Sequence, residues 1–319
     1  MRRVLSLVVK AAISGLLLYF ALNLVNIGTV ADRLTHTNPV WLGLGLLLLL
    51  IQVFLLALRW GRIVTACGAE LPLGGLFRLS IIAIFFNQTL PSSVGGDAMR
   101  IWLVGKQTNW RIAAYSVFLD RVVGVVALAA IVVICLPWSL NLVRNPVGRG
   151  ALLVIGFGAL AAGVIFIALA WDKLRFLQRW SLTRHLVATA GIAIAILRSP
   201  RDLLSIAVLS ALIHLLSAAA AWCAAQSVGA DLSLANSLFL VLPVILISIV
   251  PISIAGWGVR EGAMVAAFAY AGLPESDGLI VSLLFGAGFL VLGMVGGLVW
   301  IFDTEDRTPR TVPVPGGGA

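Results

Sequence analysis

The sequence predicts an all-α integral membrane protein with six full transmembrane helices, two inverted re-entrant helix hairpins and cytoplasmic interfacial helices. Three observations carry that prediction. Apolar residues make up 61% of the 319 and charged residues 11%, with a mean hydropathy of +1.08, against roughly 45–50% and about 25% in soluble chains. Six apolar stretches reach the roughly 20 residues that a bilayer core demands of a helix. A break containing Pro, Ser, Gly and Arg occurs twice, each time after a shorter apolar stretch. Such a chain has too little polar surface to coat a globule in water. A soluble enzyme, a disordered protein and a secreted disulfide scaffold are excluded.

The full spans are residues 4–25, 40–58, 112–136, 150–171, 202–227 and 278–302. The first follows Met-Arg-Arg like a signal peptide, but its apolar run is too long for an h-region and no A-x-A site follows. It is expected to stay as an anchor. Residues 79–90 and 237–250 are too short to cross. Each runs into a proline, a Ser- and Gly-rich break and a second apolar helix carrying an arginine, the pattern of re-entrant or broken helices. In residues 172–201, Leu174, Leu177 and Trp180 oppose Arg175 and Arg179. That spacing predicts an amphipathic helix on the cytoplasmic leaflet, with a second short helix through 192–197. Residues 303–319, ending V-P-V-P-G-G-G-A, read as a disordered cytoplasmic tail. The transmembrane domain is then 1–302, with repeats around 79–136 and 237–302.

The formal net charge is +9, from 22 basic and 13 acidic residues. Because the basic residues lie between apolar runs, they point to topology and anionic headgroups, not to nucleic acid. With the N-terminus cytoplasmic and both hairpins re-entrant, sixteen of the 22 fall on the cytoplasmic side, Arg59 among them. Arg33, Arg144 and Arg149 lie outside, and Arg100, Arg121 and Arg260 at membrane depth. That asymmetry places both termini in the cytoplasm. Trp41 and Trp138 mark the outer interface; Trp60, Trp110, Trp171 and Trp300 mark the inner one. The three cysteines and three histidines show no ligand spacing, so no metal or cofactor is expected. His214, in an apolar run, is a hydrogen-bonded packing residue or a proton carrier.

The two breaks are copies of each other. Pro91-Ser92-Ser93-Val94-Gly95-Gly96-Asp97-Ala98-Met99-Arg100 aligns without a gap on Pro251-Ile252-Ser253-Ile254-Ala255-Gly256-Trp257-Gly258-Val259-Arg260. Three full spans separate them, and an odd number inverts the second copy, a common plan for transporters. Proline ends each entering half-helix, Ser93 and Ser253 are placed to cap the next, and Gly95, Gly96 and Gly256 allow close approach of backbone or headgroup. Two helix N-termini, each worth roughly +0.5 charge, then meet near the midplane and attract an anion. Arg100 and Arg260 fall about six residues, roughly 9 Å, along their exit helices, where a phosphate could meet one and then the other. Each arginine has a second reading as half of an ion pair, Arg100 with Asp97 and Arg260 with Glu261. Asp120 and Arg121 suit either coupling or a helix-fixing pair, and Trp257 either gates a cavity or packs.

The strings N-Q-x-L-P-S-S-V-G-G-D-A-x-R at 87–100, L-D-R-V-V-G at 119–124 and P-I-S-I-A-G-W-G-V-R-E-G at 251–262 resemble the lysylphosphatidylglycerol synthase transmembrane region family. These are flippase-like proteins related to the N-terminal membrane half of multiple peptide resistance factor. The resemblance covers about residues 5–302, and the synthase half of that factor is not expected here. It implies a lipid translocase of the bacterial cytoplasmic (inner) membrane and no enzyme. The substrate is an anionic or aminoacylated phospholipid, or a related lipid, held by Arg100, Arg260, Ser93, Ser253, Gly95, Gly96, Gly256, Asp97, Glu261, Asp120, Arg121, Asn87 and Trp257. Expected partners are membrane lipids, with a homodimer and a lipid-modifying enzyme as the protein partners this allows. The rivals are an integral membrane lipid transferase using Asp97, Asp120 or Glu261 as base, and a non-catalytic partner of a lipid-modifying enzyme.

The topology has a direct check. In a cysteine-free background, Glu275→Cys should react with an impermeant thiol reagent applied from outside, and Arg179→Cys only after permeabilisation. Labelling of both from one side would refute the inverted arrangement.

Overall fold

A computed structural model describes residues 19, 28, 33–89, 94–169, 181–250 and 256–302. The described chain is helical: α1 (Pro39–Ala66), α2 (Leu73–Thr89), α3 (Gly95–Gln107), α4 (Trp110–Leu142), α5 (Pro146–Ala168), α6 (Ser181–Arg198), α7 (Pro200–Ser227), α8 (Leu234–Ser248), α9 (Val259–Ala271) and α10 (Glu275–Phe302). Five of these, α1, α4, α5, α7 and α10, are long and apolar enough to cross a membrane, while α2 and α8 are shorter apolar helices. The protein is an all-α, multi-pass integral membrane protein. The expected span at 4–25, the amphipathic turns at 172–180, Trp171 and the tail at 303–319 lie outside the described residues.

Local sequence sets the helix starts. Asn38, Asn145 and Ser199 each accept a hydrogen bond from the first turn that follows, and each precedes a proline at the first helical position. Proline loses nothing there, since that N–H has no intrahelical partner. Two predicted ends fall short. Helix α1 continues eight residues past 58, to Ala66, and α4 runs through Pro137 to Leu142. Arg59 and Trp60 therefore lie inside a helix, on its buried face, with exposures of 4% and 0%. The positions expected at the cytoplasmic face and in the inner aromatic belt are instead interior ones. The short helix expected at 192–197 is part of α6, whose Ala190 and Ile196 pack with Ile63, Leu119, Phe166 and Ile206.

The packing has a regular plan. Every helix contact within α1–α4 (α1 with α2 and α4, α2 with α3, α3 with α4) has its counterpart within α7–α10. The cross-contacts match too: α2 rests on α10 as α8 rests on α4. The largest interface joins α1 to α7, and these two run antiparallel. Asn38 N–H donates to the Ser227 carbonyl at 2.8 Å, Trp41 meets Trp222 edge-on at 5.1 Å, and Arg59 donates to Ser210 Oγ at 3.2 Å. Helices α2 and α3 fold back on one another, as do α8 and α9.

Close approach is bought with glycine. A side chain at Gly296 of α10 would strike the Ile81 carbonyl of α2, and one at Gly297 would come within 2.9 Å of the Phe85 ring. Dispersion and backbone proximity, not the hydrophobic effect, hold helices together in lipid, so such contacts matter. Gly296→Val should lower the melting temperature in detergent, costing about 1–3 kcal/mol as an overpacked contact does. Gly43→Ala, where an added methyl meets nothing within 4 Å, is the neutral control.

Candidate functional site

Two buried arginine centres lie at the equivalent positions of the two helix hairpins. The first is built from α1, α3 and α4. Asp120 accepts Arg59 Nε on Oδ1 at 3.0 Å and Arg100 Nη2 on Oδ2 at 3.1 Å, and its backbone carbonyl accepts Arg59 Nη2 at 3.3 Å. Asp97, in the first turn of α3, pairs with Arg121 at 2.6 Å and with Arg100 at 3.6 Å. The Arg100 guanidinium also stacks 3.8 Å above the Trp60 ring. Asp120 and Arg121, adjacent in sequence, thus serve different partners. One faces into the bundle, and the Arg121 side chain remains 36% exposed.

The second centre is built from α9 and α10. Glu261, with no exposed surface, accepts Arg260 Nη2 at 2.8 Å, Ser282 Oγ at 2.9 Å and, on its other oxygen, Gly258 N–H at 2.6 Å. Arg260 Nε donates to Ser282 Oγ at 3.0 Å. Gly286, one turn beyond Ser282, leaves room for the Arg260 guanidinium, since any side chain there would overlap it. The Trp257 ring lies 4.9 Å from the same guanidinium, and its Nε1 donates to Gln88 Oε1 of α2 at 3.4 Å. The two hairpins therefore touch at Gln88 and Trp257.

Several expected site residues have structural partners. Asn87 accepts the Gly96 N–H at 2.8 Å, and Gly96 is glycine because a side chain would run into the Ala83 carbonyl. That pair closes the α2–α3 hairpin, and Gly95 is buried beside it. Gly256 and Gly258 take φ of +80° and +85°, a left-handed conformation costly to residues with a Cβ. These two turns delay the start of α9 to Val259, so Arg260 is its second residue and lies at the hairpin tip, whereas Arg100 is the sixth residue of α3. The helix N-caps are Val94, without a side-chain cap, and Gly258, not Ser93 and Ser253, which lie outside the described residues. At α9 the N-terminal amides already hold a carboxylate of the protein, Glu261. His214, on α7, hydrogen-bonds the Gly124 carbonyl through Nε2 at 3.1 Å.

Sequence reasoning missed Arg59, Trp60, Ser282 and Gln88. A charge directly after an apolar run reads as the end of a span, and only the tryptophan beside Arg59 hinted at burial. The family model described as the lysylphosphatidylglycerol synthase TM region matches residues 7–297. The chain belongs to that family. No curated protein matches it by sequence.

Membership places the three-arginine centre in a membrane protein related to lipid handling, where a buried charge depends on partners within the protein. Removing one partner of a buried pair costs about 3–5 kcal/mol. Arg59→Gln should therefore destabilise the protein by that order, and Asp120→Asn likewise. The double variant should lose clearly less than the sum of the two, read as melting temperatures in detergent. Additive losses would mean that the two side chains act independently.

Proposed function

We propose that the chain is a lipid translocase that moves an anionic or aminoacylated phospholipid, or a related lipid, between the leaflets of the bacterial cytoplasmic membrane, with both termini cytoplasmic. The observation that carries this reading is the meeting of two arginine-bearing hairpins, α2–α3 and α8–α9, at Gln88 and Trp257. In the proposed arrangement both hairpins re-enter, one from each face, as halves of an inverted repeat. Antiparallel α1 and α7 and the matched packing of α1–α4 and α7–α10 support it. The headgroup passes the tips while the acyl chains stay in lipid. Intramembrane charge of this kind is costly to retain and goes with transport paths.

Movement fits these groups better than bond chemistry. Asp97, Asp120 and Glu261, the bases available to a lipid transferase, are each engaged by arginine, Glu261 also by Gly258 N–H and Ser282 Oγ. The chain is thus proposed to be no enzyme, and its partners are membrane lipids, anionic phospholipid foremost.

Reconstitution tests the reading. Proteoliposomes carrying a trace of headgroup-labelled phosphatidylglycerol should expose nearly all of the label to a membrane-impermeant quencher, while protein-free vesicles expose only their outer leaflet. Quenching equal to that of empty vesicles would overturn the translocase. A change in lipid mass would identify a transferase instead.

A further inference from the structure

Among the described residues, the matched packing of α1–α4 and α7–α10 leaves one helix without a counterpart. Helix α6 leads into α7 through the single residue Ser199 and rests on α1, α4, α5 and α7. Its Ala190 and Ile196 fill a seat whose walls include Ile63 of α1, Val122 and Val123 of α4 and Ile206 of α7. The corresponding walls in the other half can be found from fixed points. Helix α1 opens with Asn38–Pro39 as α7 opens with Ser199–Pro200. On α4 and α10 the equivalent residues are Asp120 and Ser282, which meet Arg100 and Arg260. Counted from these points, Ile63, Ile206, Val122 and Val123 correspond to Ala224, Gly45, Leu284 and Phe285.

All four of those residues line one groove of about 250 Å³ between α1, α7 and α10. That is far more than the ~30 Å³ of a water molecule, and the lining is apolar, with Gly43 and Gly288 lowering the walls further. The seat has kept its plan and lost bulk: Ala224 stands where Ile63 does, and Gly45 where Ile206 does. Small walls of this kind let a helix approach closely in lipid, and they suit an occupant with larger side chains than the alanines of α6.

The chain that precedes α1 arrives at this groove. Residues 33–35 are helical. Arg33 pairs with Asp277 in the first turn of α10, and Leu34 packs against Val265, Leu279 and Ile280, a cluster that Leu284 of the groove also joins. Upstream lie residues 1–32, with the apolar run 4–25. In helical register Phe20, Leu24, Ile27, Ala31 and Leu34 share one face, while Asn26, Thr29 and Asp32 fall on the other.

We propose that the groove between α1, α7 and α10 is the seat of this chain's own N-terminal segment, docked through Phe20, Leu24, Ile27 and Ala31 as α6 is docked in the other half. The repeated unit then has five helices, the segment with α1–α4 and α6 with α7–α10, joined by α5. Phe285, a wall of the groove, has its ring 6.0 Å from the Arg260 guanidinium. The seated segment therefore closes the lipid-facing side of the second arginine centre.

The test is disulfide trapping in the full chain, in membrane vesicles, with Cys67, Cys135 and Cys223 replaced by Ala. Gly43→Cys puts a thiol in the groove wall, where an added Cβ meets nothing within 4 Å. Residues 31 and 43 lie equally far along the chain from the break at 36–38. On oxidation Ala31→Cys should therefore join Gly43→Cys within one chain, with Ile27→Cys next. Both should exceed Asn26→Cys and Thr29→Cys several-fold, since the bond forms only where Cβ atoms come within about 4.5 Å. Ala287→Phe, which fills the groove from an exposed position in its wall, should cut the yield at residue 31 several-fold. Val154→Phe, on the exposed face of α5, should leave it unchanged. Equal yields around the helix, or a yield indifferent to Ala287→Phe, would overturn the proposal. Disulfides joining two chains would make the occupant a second copy. Preferential labelling of residues 41–49 over α5 by phosphatidylglycerol with a photoactivatable acyl chain would make it a lipid tail, and either result overturns the assignment.

Discussion

A guanidinium buried in a membrane-spanning bundle has to find its counterion within the protein, and Asp120 meets that need for two arginines at once. Its side chain draws Arg59 from α1 and Arg100 from α3 onto α4, and Arg59 reaches on to Ser210 of α7. Four helices are thus fixed in register by one carboxylate. Apolar packing alone specifies register poorly in lipid, because a leucine face slides over another at little cost. A charge network tolerates no such slip. The neighbouring residues follow from it. Trp60 lies under Arg100, and Gly124, one turn after Asp120, admits the Arg59 guanidinium, which stands 3.2 Å from where a Cβ would be.

The second half of the molecule keeps this geometry and changes its charges. Ser282 on α10 meets Arg260 as Asp120 on α4 meets Arg100, and Gly286 follows Ser282 by the same four residues that separate Gly124 from Asp120. The carboxylate has moved from the next helix to the neighbouring residue, Glu261. There it also caps α9 through Gly258 N–H. One change of position thus converts a shared counterion into a private one. Duplicated architecture carries divergent electrostatics: Arg100 is one of two arginines on Asp120, whereas Arg260 is the sole arginine on Glu261 among the described residues.

What the sequence revealed depended on range. Contacts between near neighbours were legible, the Arg260–Glu261 pair and the Arg100–Asp97 pair at i, i+3, and so was the duplicated break, because each copy is a continuous string of ten residues. Five of the six long spans, those within the described residues, were legible as well, because twenty apolar residues have few other uses. The Arg59–Asp120 pair joins residues 61 apart, and no periodicity announces it. The charge at 59 instead suggested a boundary. The helix start at Val259 was hidden for a different reason. The copies align without a gap, but positive φ at Gly256 and Gly258 inserts an extra turn that alignment cannot show. Gly96, expected to let backbone or headgroup approach closely, has the backbone carbonyl of Ala83 against it.

These contacts also grade the stiffness of the bundle. Helices α2 and α10 approach closely at Gly293, Gly296 and Gly297, where the Gln88 side chain, the Ile81 carbonyl and the Phe85 ring of α2 lie against α10, and such close-packed contacts leave little room for displacement. Helix α10 in turn carries Ser282 and Gly286, which seat Arg260. The first hairpin's entering helix and the second centre are therefore parts of one rigid unit. Among the described residues, a hydrogen bond at 3.4 Å from Trp257 Nε1 to Gln88 Oε1 links the two hairpins, near the long limit for such a bond. Helix α3 is held by both kinds of contact: ion pairs at Arg100 and Asp97 and the Gly96 N–H to Asn87 near its start, and apolar packing further along, where Leu103 and Val104 share a buried cluster with Trp60, Leu76, Ile82 and Val117. The polar contacts of the first hairpin are therefore concentrated at the N-terminal end of α3, next to the hairpin turn, and its apolar anchorage lies at the other end.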